Sequence, residues 1–211
     1  QINEELTAGL GINTPFGLSK EYRKDSFAQF VGYYSCLSLV QINPTIAYKI
    51  NDKVSVGFGL DFDYVPGLEM KSQFDVGAAN GLTPGGFIAD AEVDVDGSGW
   101  GYNAGVLAEI SDNQRVGVSY RSGIDLDLDG DYKIKNIPAA LGVGSTIATT
   151  SHATLRLPAM IKAGYAVDVN EKLTLEFDMD WLEWSRFENT DISLDGLPNI
   201  SGPRNWDNSY I

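Results

Sequence analysis

His152 is the only histidine, and Ser151 stands directly before it. A hydrolase needs its nucleophile within hydrogen-bond reach of a base, and residues adjacent on an extended chain point away from each other. No catalytic residue is assigned, and a barrel enzyme such as a lipase is the weakest functional reading. Asp125, Asp127, Asp129 and Asp131 alternate along one stretch. Acids two residues apart on one strand face are too widely spaced for a compact Ca²⁺ cage unless loops join in, so they read as an acidic rim. Cys36 is the lone cysteine, which excludes an internal disulfide and any Cys-based metal cluster. Neither metal nor cofactor is expected. The remaining unusual side chains are apolar. Met70, Phe74, Val76, Leu82, Phe87 and Ile88 fall in one long connection, and Ile137, Leu141, Val143 and Ile147 in another. Exposed apolar loops bind hydrophobic partners or fold on a small core of their own. Both hold if that core opens for a ligand.

These residues must be positioned by strands. VSVGFGLDFDY, Val54 to Tyr64, alternates apolar and polar residues, the period of a β-strand. Similar alternation recurs at about Leu6–Phe16, Leu39–Ile50, Trp100–Ile110, Arg115–Tyr132, Leu155–Val167 and Leu173–Trp181. A short eighth stretch, Trp206–Ile211, follows. In the fifth segment Val116, Val118, Tyr120, Ile124, Leu126 and Leu128 share one parity and are expected on one face. No segment keeps helical spacing, so the chain is predicted to be all-β. Short links at Asn51-Asp52, Ser111–Gln114 and Asn170-Glu171 alternate with long ones at about 23–38, 65–99, 133–152 and 188–204. That places every tight turn at one end of an up-and-down meander and every long loop at the other, as in transmembrane antiparallel β-barrels.

Segment length supports the same architecture. About 9–11 tilted residues cross a bilayer, and these segments run to ten or more. No run of about 18 apolar residues exists to make a membrane helix. The net charge of −14 excludes nucleic acid as a partner. Tyr48, Tyr64, Trp100, Tyr102, Tyr120, Tyr165 and Trp181 gather near segment ends, where aromatic belts meet lipid headgroups. The opposite parity holds Asp61, Asp63, Glu109, Asp125, Asp127, Glu176, Asp178 and Asp180, with Lys49, Arg121, Arg156 and Lys162. A charge facing lipid costs up to a few kcal/mol. The apolar side is therefore expected to face lipid and the whole acidic ladder to line a wet lumen. Both chain ends read as cuts through a longer barrel.

INPTIAYKINDKVSVGFGLDF, GWGYNAGVLAEISDNQRVGVSYRSGIDLDLDGDY, LRLPAMIKAGYAVDVNEKLTLEFDMDWLEWSRF and NWDNSY resemble the FadL/TodX family of outer-membrane transporters for long-chain fatty acids and other hydrophobic compounds. The resemblance implies the middle of a fourteen-stranded barrel of a Gram-negative outer membrane, one chain per barrel, without the family's N-terminal hatch and C-terminal strands. It implies passive uptake: apolar loops catch a fatty acid or other hydrophobic small molecule, which passes inside and leaves sideways through a gap in the wall. On this sequence it points to Met70, Phe74, Leu82, Phe87, Ile88, Leu141 and Val143 for binding, with Lys71 as the cation for a carboxylate headgroup. Gly9, Gly11 and Pro15 would form the kinked strand beside the lateral gap, since Pro removes a ladder hydrogen bond and Gly accommodates a bend. A structural or adhesive barrel in the outer-membrane lipid is the alternative.

Overall fold

The computed structural model describes residues 2–79, 81, 85–139 and 144–211. Eight tracks of antiparallel strand make one curved, open sheet. The first track is β1 (Leu6–Asn13) continued by β2 (Leu18–Glu21), and both pair with β3 (Tyr34–Asn51). Next come β4 (Val54–Asp75) and, after a four-residue helix α1 (Val76–Ala79), β5 (Ile88–Ser111). The lower half of β5 pairs with β6 (Gln114–Arg121) and its upper half with β7 (Ile124–Lys135). The returning track is β8 (Thr146–Leu157) above β9 (Met160–Asn170). Then follow β10 (Leu173–Leu182) below β11 (Asn189–Leu194), joined through a 3₁₀ turn at Trp184–Arg186. The last track is β12 (Ile200–Pro203) beside β11 and β13 (Ser209–Tyr210) beside β10.

The seven segments and the stub are all present as tracks, but two expectations change. Much of the expected loops 65–99 and 188–204 is strand, because β4 runs to Asp75 and β5 begins at Ile88, while β11 and β12 occupy most of the second. The tight lower turns are two residues each, and Asn51 Oδ1 closes the first by accepting from Lys53 N (2.8 Å) and Val54 N (3.0 Å). The second change concerns which way the side chains point.

In the lower half the orientation is as expected. Phe58, Leu60, Val106, Val118, Leu175, Phe177 and Met179 stand exposed on the convex side. Gly57, Gly105, Gly117, Ser119, Lys162 and Asp178 line a trough on the concave side. Tyr64, Trp100, Tyr102 and Tyr120 rim the upper edge of the exposed apolar band. Glycine has a use here: a Cβ on Gly59 would stand 2.7 Å from Asn43 Nδ2 and Thr45 Oγ1, so its absence lets polar side chains cross the inner wall.

Above the belt the pattern inverts, and the expected lumenal acid ladder is corrected. Ile124, Leu126 and Leu128 are buried on the inner side, while Asp125, Asp127, Asp129 and Asp131 are exposed outside. Arg156, paired in register with Asp125, goes outside with them. The cause is one residue. Between Asn103↔Arg121 and Ser98↔Asp127, the β6–β7 track carries one residue more than β5. A one-residue slip moves every following side chain to the other face, so Tyr120 points out and Ile124 points in. β4 has the same device between Val65 and Leu68. β5 keeps its parity and changes composition instead. Its outward residues pass from Ala104, Tyr102 and Trp100 to Asp96, Asp94 and Glu92, and its inward ones from Asn103 and Gly101 to Val95 and Val93.

The physical logic is a change of solvent along one wall. Below, hydrocarbon lies outside and water inside; above, water lies outside, and the inner faces bury one another. Leu39, Val65, Val93, Val95, Leu126 and Leu157 belong to that upper core.

Candidate functional site

Inside the upper wall is a cavity of about 790 Å³, within the usual range for small-molecule sites. Met70 and Phe74 of β4, Val93 of β5, and Tyr132 and Ile134 of β7 line one side. Ile192 and Leu194 of β11, with Leu197 and Pro198 of the β11–β12 turn, line the other, and Phe30 and Val31 cover it from the β2–β3 connection. Its polar lining includes Thr190 and Arg204, whose Nε donates to Thr190 Oγ1 (3.1 Å) while its backbone N–H donates to Glu188 O (2.7 Å). The chamber is apolar with one guanidinium at its edge, a lining that suits a hydrophobic body and tolerates an anionic head.

Of the residues expected to bind ligand, Met70, Lys71 and Phe74 line the chamber. The Lys71 ammonium, however, is engaged by Glu69 (2.6 Å) and Glu92 (3.7 Å) and lies over the Tyr34 ring. Phe87 and Ile88 are taken up in the base of the loop: the Phe87 carbonyl accepts from Val76 N (2.9 Å), and Ile88 opens β5 opposite Asp75. Leu82, Leu141 and Val143 lie outside the described residues. Asp75 organises this loop by accepting from Ala78 N (3.0 Å) and Gly85 N (2.6 Å), which pulls its carboxyl below the ordinary range.

Val93, Tyr132, Ile134, Ile192 and Leu194 were not legible as lining residues. Their alternation with acids in EVDVDG, DGDYKI and TDISL matches that of the lipid-facing wall. The sequence carries no phase shift here, because VSY and IDLDL keep one parity. The change of face comes from the register against β5, and the usable sequence signal is the missing aromatic belt above it.

Of the residues expected at the lateral gap, Gly9 and Gly11 lie within β1, which pairs with β3 at every position from Leu6 to Asn13. Pro15 sits between β1 and β2, where the track is interrupted and carries one residue more than β3. Pro44 is inside β3 and lacks an N–H to donate. Asn43 Nδ2 donates to Leu60 O (2.9 Å) instead, so a side chain completes the ladder.

The β11–β12 turn is tied to β8 from the outside. Asp195 N donates to Thr150 O (3.1 Å), and Thr149 Oγ1 donates to Asp195 O (2.6 Å). His152 bonds Asp129 through Nδ1, and its Nε2 stands 4.0 Å from Asp195 Oδ1. The hydrogen bond with Asp129 raises the His152 pKa; desolvation opposes it, and the charges of Asp129 and Asp195 add to the rise. A raised folded pKa stabilises the protein below the unfolded value of about 6.5 and loses that contribution as pH rises through the folded pKa. Hydrogen exchange at Thr150 and Asp195 is expected to quicken across that upper window, and to show no such step in His152→Gln. An unchanged step in the variant would remove His152 from the tie.

Among the described residues no group of three or more His, Cys, Asp or Glu side chains could hold a metal ion. The one serine–histidine neighbour pair is split: Ser151 is fully buried and His152 is exposed.

Over residues 1–211 the sequence matches the family described as outer membrane protein transport protein (OMPP1/FadL/TodX). It is 29% identical to the long-chain fatty acid transport protein of Escherichia coli O6:H1, over 89% of this chain and 47% of that protein. It is 25% identical to outer membrane protein P1 of Haemophilus influenzae, over 92% of this chain and 46% of that protein. The chain thus spans about half the length of the curated relatives it matches. The fold is similar to that of a Pseudomonas aeruginosa FadL homologue, with a TM-score of 0.88 at 20% identity, covering 99% of this chain and 52% of the other. It is also similar to the Ralstonia pickettii toluene transporter TbuX, with a TM-score of 0.76 at 19% identity, covering 99% and 60%. The exposed apolar band, the wet trough, the tight turns at one end and this match over the whole sequence agree: the chain is an outer-membrane β-barrel segment and belongs to the OMPP1/FadL/TodX transport family.

Proposed function

We propose that this part of the barrel captures a hydrophobic small molecule in the upper chamber and passes it to the trough below, for passive uptake across the outer membrane. The observation that carries the reading is the chamber itself: an apolar space of about 790 Å³ held above the lipid belt by a wall that is acidic outside. A hydrophobic molecule arriving from water gains roughly 25 cal/mol for each Å² of apolar surface it buries there. An adhesive barrel would have no use for an apolar recess of this size. The interrupted track at Pro15, beside the β1 edge, is the proposed side exit.

Arg204 favours a long-chain fatty acid over a neutral hydrocarbon. Among the described residues its side chain hydrogen-bonds a threonine hydroxyl rather than a carboxylate, which leaves its charge available to a ligand. Lys71 is already matched by two acids. A hydrogen bond to a charged group contributes about 1.5–3 kcal/mol, so Arg204→Ala should weaken fatty-acid binding at least roughly tenfold. Binding of toluene should stay unchanged. Titration of both ligands into the detergent-solubilised protein checks this. Equal losses for the two would discard the carboxylate role, and native mass spectrometry showing no hydrophobic ligand at all would discard capture.

A further inference from the structure

Between chamber and trough the inner wall is crossed by a buried polar network. Asp61 Oδ1 accepts from Asn43 Nδ2 (2.9 Å) and Asn103 Nδ2 (3.0 Å), and Gln41 Nε2 donates to Asp63 Oδ1 (2.8 Å). Gln41, Asp61 and Asp63 are all 0% exposed. The side-chain oxygen of Gln41 (Oε1) and the second carboxylate oxygen of each acid (Asp61 Oδ2 and Asp63 Oδ2) are buried without a hydrogen-bond donor among the described residues. The nearby cation is Arg121, whose Nε stands 3.7 Å from Asp61 Oδ2 and contacts it by charge alone.

Buried polar atoms are almost always partnered, and buried charges are paired or bind ions. Asp61 and Asp63 occupy successive rows of one β4 face, and Gln41 comes from β3 in register with Asp63, so the donors span two strands rather than one. Two carboxylates share one guanidinium, which leaves one formal negative charge beside three oxygens without donors among the described residues. The amide oxygen of Gln41 supplies a third, neutral oxygen beside the two carboxylates. Oxygen-only donors select a hard cation. A residual charge of one unit, beside a guanidinium that would repel a divalent ion, selects a monovalent one. We propose that Gln41, Asp61 and Asp63 bind a single sodium-sized cation in the neck between the chamber and the trough. The site stands whether or not the chamber carries the proposed ligand.

The test uses the protein expressed from its whole gene and purified in detergent. At equal ionic strength, sodium chloride should raise the thermal midpoint over N-methylglucamine chloride by about 2–4 °C, saturating with concentration. Asp63→Asn should abolish the difference. Crystals of the unmutated protein soaked in a thallium(I) salt should show an anomalous peak among the three oxygens, a readout that does not depend on the variant folding. A midpoint insensitive to sodium together with no peak would overturn the site. So would a lysine or arginine from elsewhere in the barrel filling it, or a midpoint that responds to pH and not to sodium, which would mean a proton does the pairing.

Discussion

Leu126→Asp is expected to collapse the upper chamber while leaving the lower wall inserted in the membrane. Leu126 is 0% exposed and packs in the core with Val65, Val95, Ile124, Leu128 and Leu157. Deleting such a side chain to alanine costs about 2–5 kcal/mol, and an unpaired carboxylate in its place adds the penalty of burying a polar group without a partner. A total above ~4 kcal/mol exceeds what a local extramembrane unit can absorb. Limited proteolysis should cut β7 or β8 in the variant, hydrophobic ligand binding should disappear, and the protein should still fractionate with the outer membrane. The control is its neighbour. Asp127 is exposed on the outer face, so Asp127→Leu should change stability by no more than about 0.5 kcal/mol. If the acid ladder faced a wet lumen along its whole length, Leu126→Asp would instead put its carboxylate in lipid and impair membrane insertion, leaving the chamber and the protease resistance of β7 and β8 unchanged.

Val118→Arg is the second large effect. Val118 stands on the exposed apolar face, between Val106 and Ala163 of the neighbouring strands. An arginine there meets hydrocarbon and should cost about 2–4 kcal/mol near the bilayer midplane. Ser119, one residue on, lines the trough near Asp178 and Asp180, where Ser119→Arg should be nearly neutral because water and carboxylates receive the charge. Equilibrium unfolding in liposomes measures both. Equal losses would mean that the β6 faces are not divided between lipid and water.

The two experiments probe one property from opposite ends of a track. Leu175, Phe177 and Met179 alternate with Glu176, Asp178 and Asp180 just as Ile124, Leu126 and Leu128 alternate with Asp125, Asp127 and Asp129. The first apolar set is exposed, with Phe177 at 64%, and the second is buried, with Leu128 at 1%. Strand spacing is a local property of backbone geometry, so it shows in either stretch. The environment on each side depends on height along the wall, which the local pattern does not encode.

The chamber follows from the same distinction. Met70 and Phe74 could be picked out because apolar residues in an apparent loop need explaining. Val93, Tyr132 and Ile192 sit in ordinary-looking strands, and only the pairing of β5, β7, β8 and β11 brings them round one space. Lys71 looked available although Glu69, its nearer partner, is only two positions back; its other partner, Glu92, is 21 positions away and meets it only through the β4–β5 register.

By itself the sequence determined the antiparallel all-β meander, the tight turns at one end, the lipid-facing parity of the lower wall and the family. All of these rest on the two-residue strand period, short-range turn chemistry and shared phrases. The tertiary structure alone decided where that parity turns over, which residues enclose the chamber and which charges are already paired. A single extra residue in one strand, opposite none in its neighbour, reverses every side chain beyond it, and that extra residue is visible only once the two strands are paired.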